Sequence, residues 1–264
     1  MDLKLKDKTA FISGSTAGIG FAIAHSLLKE GVKVIINGRN KQGVASSVQK
    51  LKDLVKDACV SGLAADFGNA EEVNTLINSL PEIDILINNA GIFEPKPFEE
   101  IPDEDWFRFF EVNVMSGIRL SRHIFPAMLK KNWGRIIFIS SESAVFIPDE
   151  MIHYGMTKTA QLAISRGLAE LSKNTGVTVN SILPGPTKSQ GVGTFIEDLA
   201  KAGNISIAEV EIDFFKNMRP TSLLQRFLSV DEIANTVTYY VSPLASGTNG
   251  AAIRVEGGLV RSIL

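Results

Sequence analysis

Three residues of this sequence have the types and the spacing for proton transfer to or from a substrate oxygen. Tyr154 and Lys158 are four residues apart, and Ser141 precedes the tyrosine by thirteen. A helix through this segment places Tyr154 and Lys158 on one face, about 6 Å apart along its axis. A phenol titrates at about pH 10, so acid–base work at neutral pH requires about 4 kcal/mol of phenolate stabilisation. The lysine cation supplies a field of the right sign, so the spacing predicts proton-transfer chemistry.

A glycine-rich turn near the amino terminus has the pattern of a nucleotide-binding loop. A short apolar run, 8–12, leads into Gly14-x-x-x-Gly18-Ile19-Gly20, and an amphipathic segment, 21–30, follows. In such a strand–turn–helix unit the glycines admit a pyrophosphate and the helix start offers free N–H groups. The spacing differs from Gly-x-Gly-x-x-Gly, and no lysine follows as it would in a triphosphate-binding loop. The alternative is an ordinary glycine-rich turn, which the flanking strand and helix disfavour.

Together with three further motifs, these residues occur in the order typical of one enzyme family. The further motifs are Asn88-Asn89-Ala90-Gly91, Asn113 and Pro184-Gly185. The chain resembles the short-chain dehydrogenase/reductase family from Leu5 to Gly258, which is essentially its whole length. Each motif alone is weak evidence, but six in register are not expected by chance. The resemblance implies a single Rossmann-like domain that transfers hydride between a nicotinamide cofactor and a carbonyl or alcohol.

The resemblance also implies a role for each catalytic residue. Tyr154 is the general acid in carbonyl reduction and the base in alcohol oxidation, and Ser141 donates to the substrate oxygen. Lys158 lowers the tyrosine pKa and binds the nicotinamide ribose, and Asn113 anchors a water that connects the lysine to solvent. Preplaced donors such as Ser141 and Tyr154 suit the charge that develops on the substrate oxygen. Asparagine is unfavourable inside a helix, which indicates a local reason for Asn113.

The residues that follow the second predicted strand favour NADP(H) over NAD(H). In the family, the carboxylate of NAD-dependent members would fall at about Gly38, and the arginine of NADP-dependent members at Arg39. Glycine leaves room for the 2′-phosphate, and a guanidinium pairs with phosphate through two hydrogen bonds. The alternative is that Arg39 is a solvated loop residue, with Asn37 or Asn40 contacting a ribose hydroxyl.

Further cofactor contacts follow from the resemblance. Asp66 corresponds to the adenine contact, Asn89 to the adenine ribose contact, and Thr187 to the residue that bonds the nicotinamide carboxamide. For Asp66 the alternative is a helix N-cap, because a helix starts near Asn69. The complete predicted cofactor-binding set is Gly14, Ser15, Thr16, Gly18, Ile19, Gly20, Arg39, Asp66, Asn89, Tyr154, Lys158, Pro184, Gly185 and Thr187.

The elements that must position these residues alternate between strand and helix along the chain. The predicted strands are 8–12, 32–37, 60–64, 83–87, 135–139, 177–183 and 252–255. The predicted helices include 42–55, 70–79, one long helix over 103–129, the Tyr154 helix and 230–241. Near-continuous apolar strands in this alternation predict an α/β fold, a Rossmann-like doubly wound parallel sheet of about seven strands with helices on both faces. We expect one domain, 1–264, with a substrate loop at about 188–220.

Composition excludes several classes of protein. A chain of 264 residues with 45% hydrophobic residues can bury a large core, and a net charge of −2 attracts neither nucleic acid nor anionic membranes. The uncharged stretch 9–28 contains the glycine turn, which does not suit a membrane-spanning helix. Cys59 cannot form an internal disulfide, and its apolar surroundings predict a buried, reduced thiol. We expect a cytoplasmic protein.

Hydrolytic and metal chemistry are disfavoured. A hydrolase built on Ser141 and His153 would need a Gly-x-Ser-x-Gly turn, which this strand end lacks. The three histidines, His25, His123 and His153, have no zinc-ligand spacing, so we expect no metal site.

The substrate is left open by the sequence. The loop 188–220 closes over the substrate in the family, and its apolar residues could line a pocket or pack the loop onto the body, packing being the commoner outcome. These residues are Phe195, Ile196, Leu199, Phe214, Phe215 and Met218. Residues beside the catalytic positions that could touch substrate are Phe93, Glu94, Glu142, Ser143 and His153.

Two alternative functions are weighed against a general carbonyl/alcohol oxidoreductase. A 3-oxoacyl-carrier-protein reductase is a specific form of it and needs a basic patch for the acidic carrier, for which Lys130, Lys131, Arg119 and Arg122 are the candidates. A non-catalytic NADP-binding sensor would keep the fold without turnover. An intact serine, tyrosine and lysine set argues against the sensor, because binding alone does not require all three.

The helix predicted after the fourth strand is more apolar than one stripe toward its own sheet requires. Its apolar residues are Trp106, Phe107, Phe109, Phe110, Val114, Met115 and Ile118. The tail 251–258 ends in small residues that permit close approach of a second copy. Because the family pairs through these elements, we expect a homotetramer. The alternative is that all the aromatic residues belong to the intramolecular core.

Overall fold

A computed structural model describes residues 1–263, apart from the side chains of residues 190, 195, 198, 199 and 202. Its sheet has seven strands: β1 (Thr9–Ile12), β2 (Lys33–Gly38), β3 (Val60–Ala64), β4 (Ile85–Asn88), β5 (Gly134–Ile139), β6 (Val177–Pro184) and β7 (Ala252–Val255). All neighbouring pairs are parallel, in the order β3-β2-β1-β4-β5-β6-β7. The predicted Rossmann-like parallel sheet is confirmed.

Nine α-helices surround the sheet within residues 1–263. They are α1 (Gly18–Lys29), α2 (Lys41–Leu54), α3 (Ala70–Ser79), α4 (Asp103–Phe110), α5 (Ser116–Lys131), α6 (Ile152–Leu171), α7 (Gln190–Gly203), α8 (Ile207–Asp213) and α9 (Val230–Tyr240). Helices on both faces cover the sheet, whereas α7 and α8 pack in a separate small cluster. Successive strand residues point to opposite faces. Ile12 therefore belongs to one buried cluster with α1 and α9, whereas its neighbour Phe11 belongs to another with α3 and α5.

The single helix predicted over 103–129 is wrong at one point. A π-helical turn, Glu111–Met115, separates α4 from α5. Asn113 lies within this turn. Its side-chain amide accepts a hydrogen bond from the Ile92 N–H and donates one to the Ile92 carbonyl oxygen. Such wide turns are frequent at functional sites. The structure thereby supplies the local reason for an asparagine in a helical segment.

Cys59 contradicts the prediction of a buried thiol, because its side chain is exposed. The residue immediately precedes β3, which is an edge strand of the sheet. Of the five residues in β3 only Val60 is buried, so this edge offers little cover to a neighbouring side chain. Within residues 1–263, no helix is long and apolar enough to cross a membrane.

Two aromatic side chains of α4 point away from the core. Phe109 is fully buried, whereas Phe107 is 74% exposed and Phe110 is 39% exposed. The alternative that all aromatic residues of this segment belong to the intramolecular core is therefore wrong for Phe107 and Phe110. Exposed large apolar side chains on one helix are typical of a protein contact surface.

We expect a homotetramer at micromolar concentration. Burying a side chain such as Phe107 at a subunit contact contributes roughly 2 kcal/mol to the free energy of association. Light scattering on the purified protein tests this, with a mass of four 28.6 kDa chains as the expected result. A mass of one chain that stays constant on concentration contradicts oligomerisation. A mass of two chains contradicts the tetramer but is compatible with a dimer that uses one of the two expected interfaces.

Candidate active site

One face of α6 carries the predicted proton-transfer pair. Tyr154 and Lys158 occupy positions i and i+4, so their side chains share that face. Lys158 Nζ lies 5.6 Å from the centre of the Tyr154 ring and donates a hydrogen bond of 2.9 Å to the carbonyl oxygen of Ile139. Because Ile139 is the last residue of β5, this bond fixes the pair at the carboxyl edge of the sheet.

Ser141 lies at that same edge, two residues after the end of β5. Its Oγ accepts a hydrogen bond from the Ser143 backbone N–H at 3.1 Å and lies 2.5 Å from Oε2 of Glu142. The neighbouring Ser140 instead donates its hydroxyl proton to the Lys158 carbonyl oxygen, at 2.9 Å. That bond ties the Ser140 hydroxyl to the α6 backbone, although both serines line the cleft.

Asn113 joins this group through its side chain. Its Oδ1 accepts the Ile92 N–H at 2.8 Å, and its Nδ2 donates to the Ile92 carbonyl oxygen and to Thr157 Oγ1, both at 3.0 Å. Thr157 belongs to α6, so the amide links the π-helical turn to the catalytic helix. The structure thus brings all four predicted catalytic residues to one place.

Gln161 is a contact that the sequence analysis missed. Its Nε2 donates to the Asn113 carbonyl oxygen at 2.5 Å, and its Oε1 lies 3.5 Å from Lys158 Nζ. The Gln161 side chain therefore connects the Asn113 backbone to Lys158. The signal in the sequence is the i, i+4, i+7 spacing of Tyr154, Lys158 and Gln161, which puts this polar group on the catalytic face.

The pKa of Tyr154 differs from the expectation. Burial is the largest influence and raises the pKa of the Tyr154 phenol, and the negative charge of Glu142 raises it further. A hydrogen bond with Ser141 acts in the lowering direction. Burial and Glu142 therefore oppose the lowering of the tyrosine pKa that is expected from Lys158. Burial lowers the pKa of Lys158 itself to about 8, although Glu142 opposes the change.

Ser141, Tyr154 and Lys158 line an open cleft of about 250 Å³, whereas Asn113 lies behind it. Of the residues expected to touch substrate, Phe93, Glu142 and Ser143 line this cleft. Glu94 instead pairs with Arg108, at 2.8 Å. His153 is 1% exposed and packs against an aromatic ring of α4. The expectation of substrate contact is thus not met for Glu94 or His153.

The loop 188–220 contributes both to packing and to the cleft. Most of it is helical, in α7 and α8. Phe214 and Met218 line the cleft, whereas Ile196 and Phe215 are buried in a small separate cluster. The side chains of residues 195 and 199, which are Phe195 and Leu199, lie outside the described residues.

The glycine loop has the geometry of a cradle for phosphate groups. Gly14 and Gly18 have φ values of 59° and 58°, which favour glycine. A Cβ at Gly20 would lie 2.5 Å from Asn89 Nδ2. The N-cap of α1 is Ala17, which has no side-chain acceptor for the first N–H groups of the helix. These donors suit an anionic group, so the loop fits a dinucleotide pyrophosphate.

Ser15 has a supporting position within this loop. Its backbone N–H donates to the Asn37 carbonyl oxygen at 2.8 Å, and its hydroxyl donates to the Ile12 carbonyl oxygen at 2.7 Å. The Asn37 side chain in turn accepts from the Gly14 N–H at 3.0 Å. The hydrogen bonds of Ser15 and Asn37 therefore hold the glycine loop against the ends of β1 and β2.

Arg39 is the exposed cation at the end of β2. No partner for its guanidinium is found among the residues that the structure describes. Asn37 is buried, and Asn40 caps α2 by accepting the Gly43 N–H at 2.8 Å, so both side chains are engaged within the protein. A Cβ at Gly38 would lie 2.5 Å from Thr16 Cγ2, so a carboxylate side chain there would require Thr16 to shift.

The remaining predicted cofactor residues follow the strand ends. Asp66 accepts a hydrogen bond from the Gly68 N–H at 2.9 Å, and α3 is capped by Asn69, so the alternative that Asp66 is the N-cap is wrong. Asn89 Nδ2 donates to the Gly14 carbonyl oxygen at 2.8 Å. Thr187, which follows Pro184 and Gly185 beyond β6, lines the cleft with them and with Ile19.

Sequence comparison agrees with this fold and site. The model of the short chain dehydrogenase family matches residues 8–200. The chain belongs to the short-chain dehydrogenase/reductase family and is an oxidoreductase of that family.

Two relatives match this chain over almost its whole length. YvaG of Bacillus subtilis (strain 168), an uncharacterized oxidoreductase, is 51% identical over 263 residues, which cover 100% of both proteins. A D-beta-hydroxybutyrate dehydrogenase of Rhizobium meliloti (strain 1021) is 31% identical over 258 residues, covering 95% of this chain and 98% of that protein. The crystal structure of L-sorbose reductase from Gluconobacter frateurii, complexed with NADPH and L-sorbose, has a TM-score of 0.93 and 29% identity, covering 100% of both chains.

Proposed function

We propose that this chain is an NADP(H)-dependent oxidoreductase that interconverts a carbonyl and an alcohol. The observation that carries the proposal is the meeting of Ser141, Tyr154 and Lys158 in one cleft, beside the glycine loop. The fold and glycine cradle fit a nicotinamide dinucleotide, and Arg39 favours its 2′-phosphorylated form. The NADPH complex of the similar L-sorbose reductase is consistent with this preference.

The chain's own residues would bind the cofactor along the carboxyl edge of the sheet. The α1 N-terminus would hold the pyrophosphate, Arg39 the 2′-phosphate, and Asp66 and Asn89 the adenosine part. The nicotinamide part would be held by Lys158, Tyr154 and Thr187. When bound, the cofactor supplies or accepts the hydride.

The proton chemistry falls to the protein. In reduction, Tyr154 donates its phenolic proton to the substrate oxygen, and Ser141 supplies a second hydrogen bond to that oxygen. Developing negative charge there is stabilised by donors that are already in place. Lys158 lies beside the phenol and favours the phenolate that remains, and a proton returns to Tyr154 before the next turnover. Oxidation of an alcohol follows the same path in reverse.

A panel of carbonyl compounds tests the proposal. The purified protein is mixed with NADPH and, in turn, with hydroxyketones, 3-oxo acids, cyclic ketones and a 3-oxoacyl thioester, and absorbance loss is followed. We expect at least one compound to be reduced, with NADPH preferred over NADH at equal concentration. Tight NADPH binding without turnover on any compound contradicts the enzyme and supports the non-catalytic sensor instead.

The 3-oxoacyl-carrier-protein alternative receives little support from the surface charges. Of the four candidate cations, Arg119 is paired with Glu111 and Lys131 with both Glu82 and Asp84, whereas Arg122 and Lys130 are exposed. These pairs reduce the positive field that an acidic carrier protein would require. A free small-molecule carbonyl is therefore the substrate class that we propose.

A further inference from the structure

A buried carboxyl group lies directly beside the serine that faces the substrate oxygen. Glu142 is 6% exposed, and its Oε2 lies 2.5 Å from Ser141 Oγ. The same Oγ accepts the Ser143 N–H at 3.1 Å. Because both Glu142 and Ser141 line the cleft, the protonation state of the carboxyl group decides where the hydroxyl proton points.

Counting donors and acceptors separates two arrangements. A serine hydroxyl has one proton and two acceptor positions, and the Ser143 N–H occupies one of these positions. An ionised Glu142 can only accept, so it takes the Ser141 proton and leaves a lone pair directed at the substrate oxygen. A protonated Glu142 donates to the second acceptor position and leaves the Ser141 proton free to point into the cleft. Only the second arrangement makes Ser141 a donor to substrate.

We propose that Glu142 is a positioning residue that works in its protonated form, donating to Ser141 Oγ and so directing the Ser141 O–H at the substrate oxygen. The inference rests on the proposed function, because it concerns the same reaction in the same cleft. Glu142 acts through Ser141 and does not itself exchange a proton with substrate.

The surroundings of Glu142 agree with a neutral carboxyl group. Burial is the largest influence and raises its pKa, while Ser141, Arg219 and the backbone N–H groups of its own turn lower it. Arg219 is already paired with Glu150, at 2.7 Å, which reduces its effect. Lys158 of α6 also interacts with Glu142 and favours the ionised carboxylate. Burial of the carboxyl group outweighs these opposing influences.

A neutral Glu142 also favours proton donation by Tyr154, the second donor of the site. An ionised carboxylate at this place raises the pKa of the Tyr154 phenol and repels negative charge on the substrate oxygen. Protonation removes both effects, so one proton on Glu142 favours Ser141 and Tyr154 together. This is why we expect reduction to fail as Glu142 loses its proton.

Infrared spectroscopy and kinetics on the full-length protein test the inference together. The carbonyl band of a protonated carboxylic acid, identified by its loss in Glu142→Gln, reports the titration of Glu142. We expect this band at pH 7. Across the pH range in which it disappears, we expect kcat/KM for carbonyl reduction to fall by roughly 100-fold, the effect of losing one donor to the substrate oxygen.

Two comparisons keep the result specific. Glu142→Gln retains a side-chain donor of the same size, so its kcat/KM should show no such fall over that pH range. In a Ser141→Ala background, Glu142→Gln should not change the pH profile of kcat/KM any further. Glu100→Gln, on an exposed surface turn, is the matched control and should behave as wild type.

Opposite outcomes would overturn the inference. Absence of the band at pH 7 would show an ionised Glu142, and a wild-type kcat/KM that stays level while the band disappears would show that its proton is unimportant. If no carbonyl compound is reduced, the proposed function fails, whereas the infrared result still decides the protonation state of Glu142. The two failures are therefore distinguishable.

Discussion

Replacing Tyr154 by phenylalanine should lower kcat for carbonyl reduction by about 100- to 10,000-fold, which is the usual contribution of a positioned general acid. The substitution removes only the hydroxyl group, and the ring keeps its edge contact with Phe93, at 6.4 Å between ring centres. We expect the dissociation constant for NADPH to change little. Stopped-flow or steady-state assays on a substrate found in the panel give kcat, and fluorescence titration gives the dissociation constant.

A matched control is available on α9, where Tyr239 is 42% exposed and does not line the cleft. Tyr239→Phe removes the same hydroxyl group and should leave kcat and NADPH binding as in wild type. Wild-type turnover in Tyr154→Phe would mean that another group supplies the proton. The role of Tyr154 would then be limited to packing or to binding.

Replacing Arg39 by alanine should weaken NADPH binding by roughly 10- to 100-fold, because a hydrogen-bonded charge pair contributes about 1.5–3 kcal/mol. NADH lacks the 2′-phosphate, so its binding should hardly change. Isothermal titration of both cofactors against wild type and Arg39→Ala measures the two effects without any substrate. The expected result is a loss of preference for NADPH rather than a general loss of binding.

Lys50 provides the control for net charge, since it is an exposed cation on α2. Lys50→Ala removes one positive charge from the same region and should leave the ratio of the two affinities unchanged. Equal weakening of NADPH and NADH in Arg39→Ala would place the guanidinium on a shared part of the cofactor. No weakening of either would make Arg39 a solvated loop residue, which was the alternative from the sequence.

The sheet could be predicted because its signal is local. Each strand is a short apolar run bounded by turns, and the alternation with helical patterns leaves few other ways to bury those runs. The π-helical turn had no such signal, since 103–129 reads as one continuous helix. It depends on a contact between Asn113 and Ile92, which are 21 residues apart in the chain.

The candidate site was predictable where spacing alone defines it. Two residues four apart share one face of any helix. The proximity of Tyr154 and Lys158 therefore follows once the sequence predicts a helix there. The pKa directions did not follow, because they depend on burial and on Glu142, whose surroundings the sequence does not give. Arg219 is an example: its partner Glu150 lies 69 residues away along the chain.

The close approach of Thr16 to Gly38 would make the proposed preference for NADP(H) depend on both positions. A carboxylate at position 38 would place its Cβ against the Thr16 methyl group, at a cost of about 1–3 kcal/mol for an overpacked position. Thr16→Ser deletes that methyl group and keeps the hydroxyl. If the proposed NADP(H) preference holds, a mutational path toward NAD(H) would therefore change position 16 before position 38.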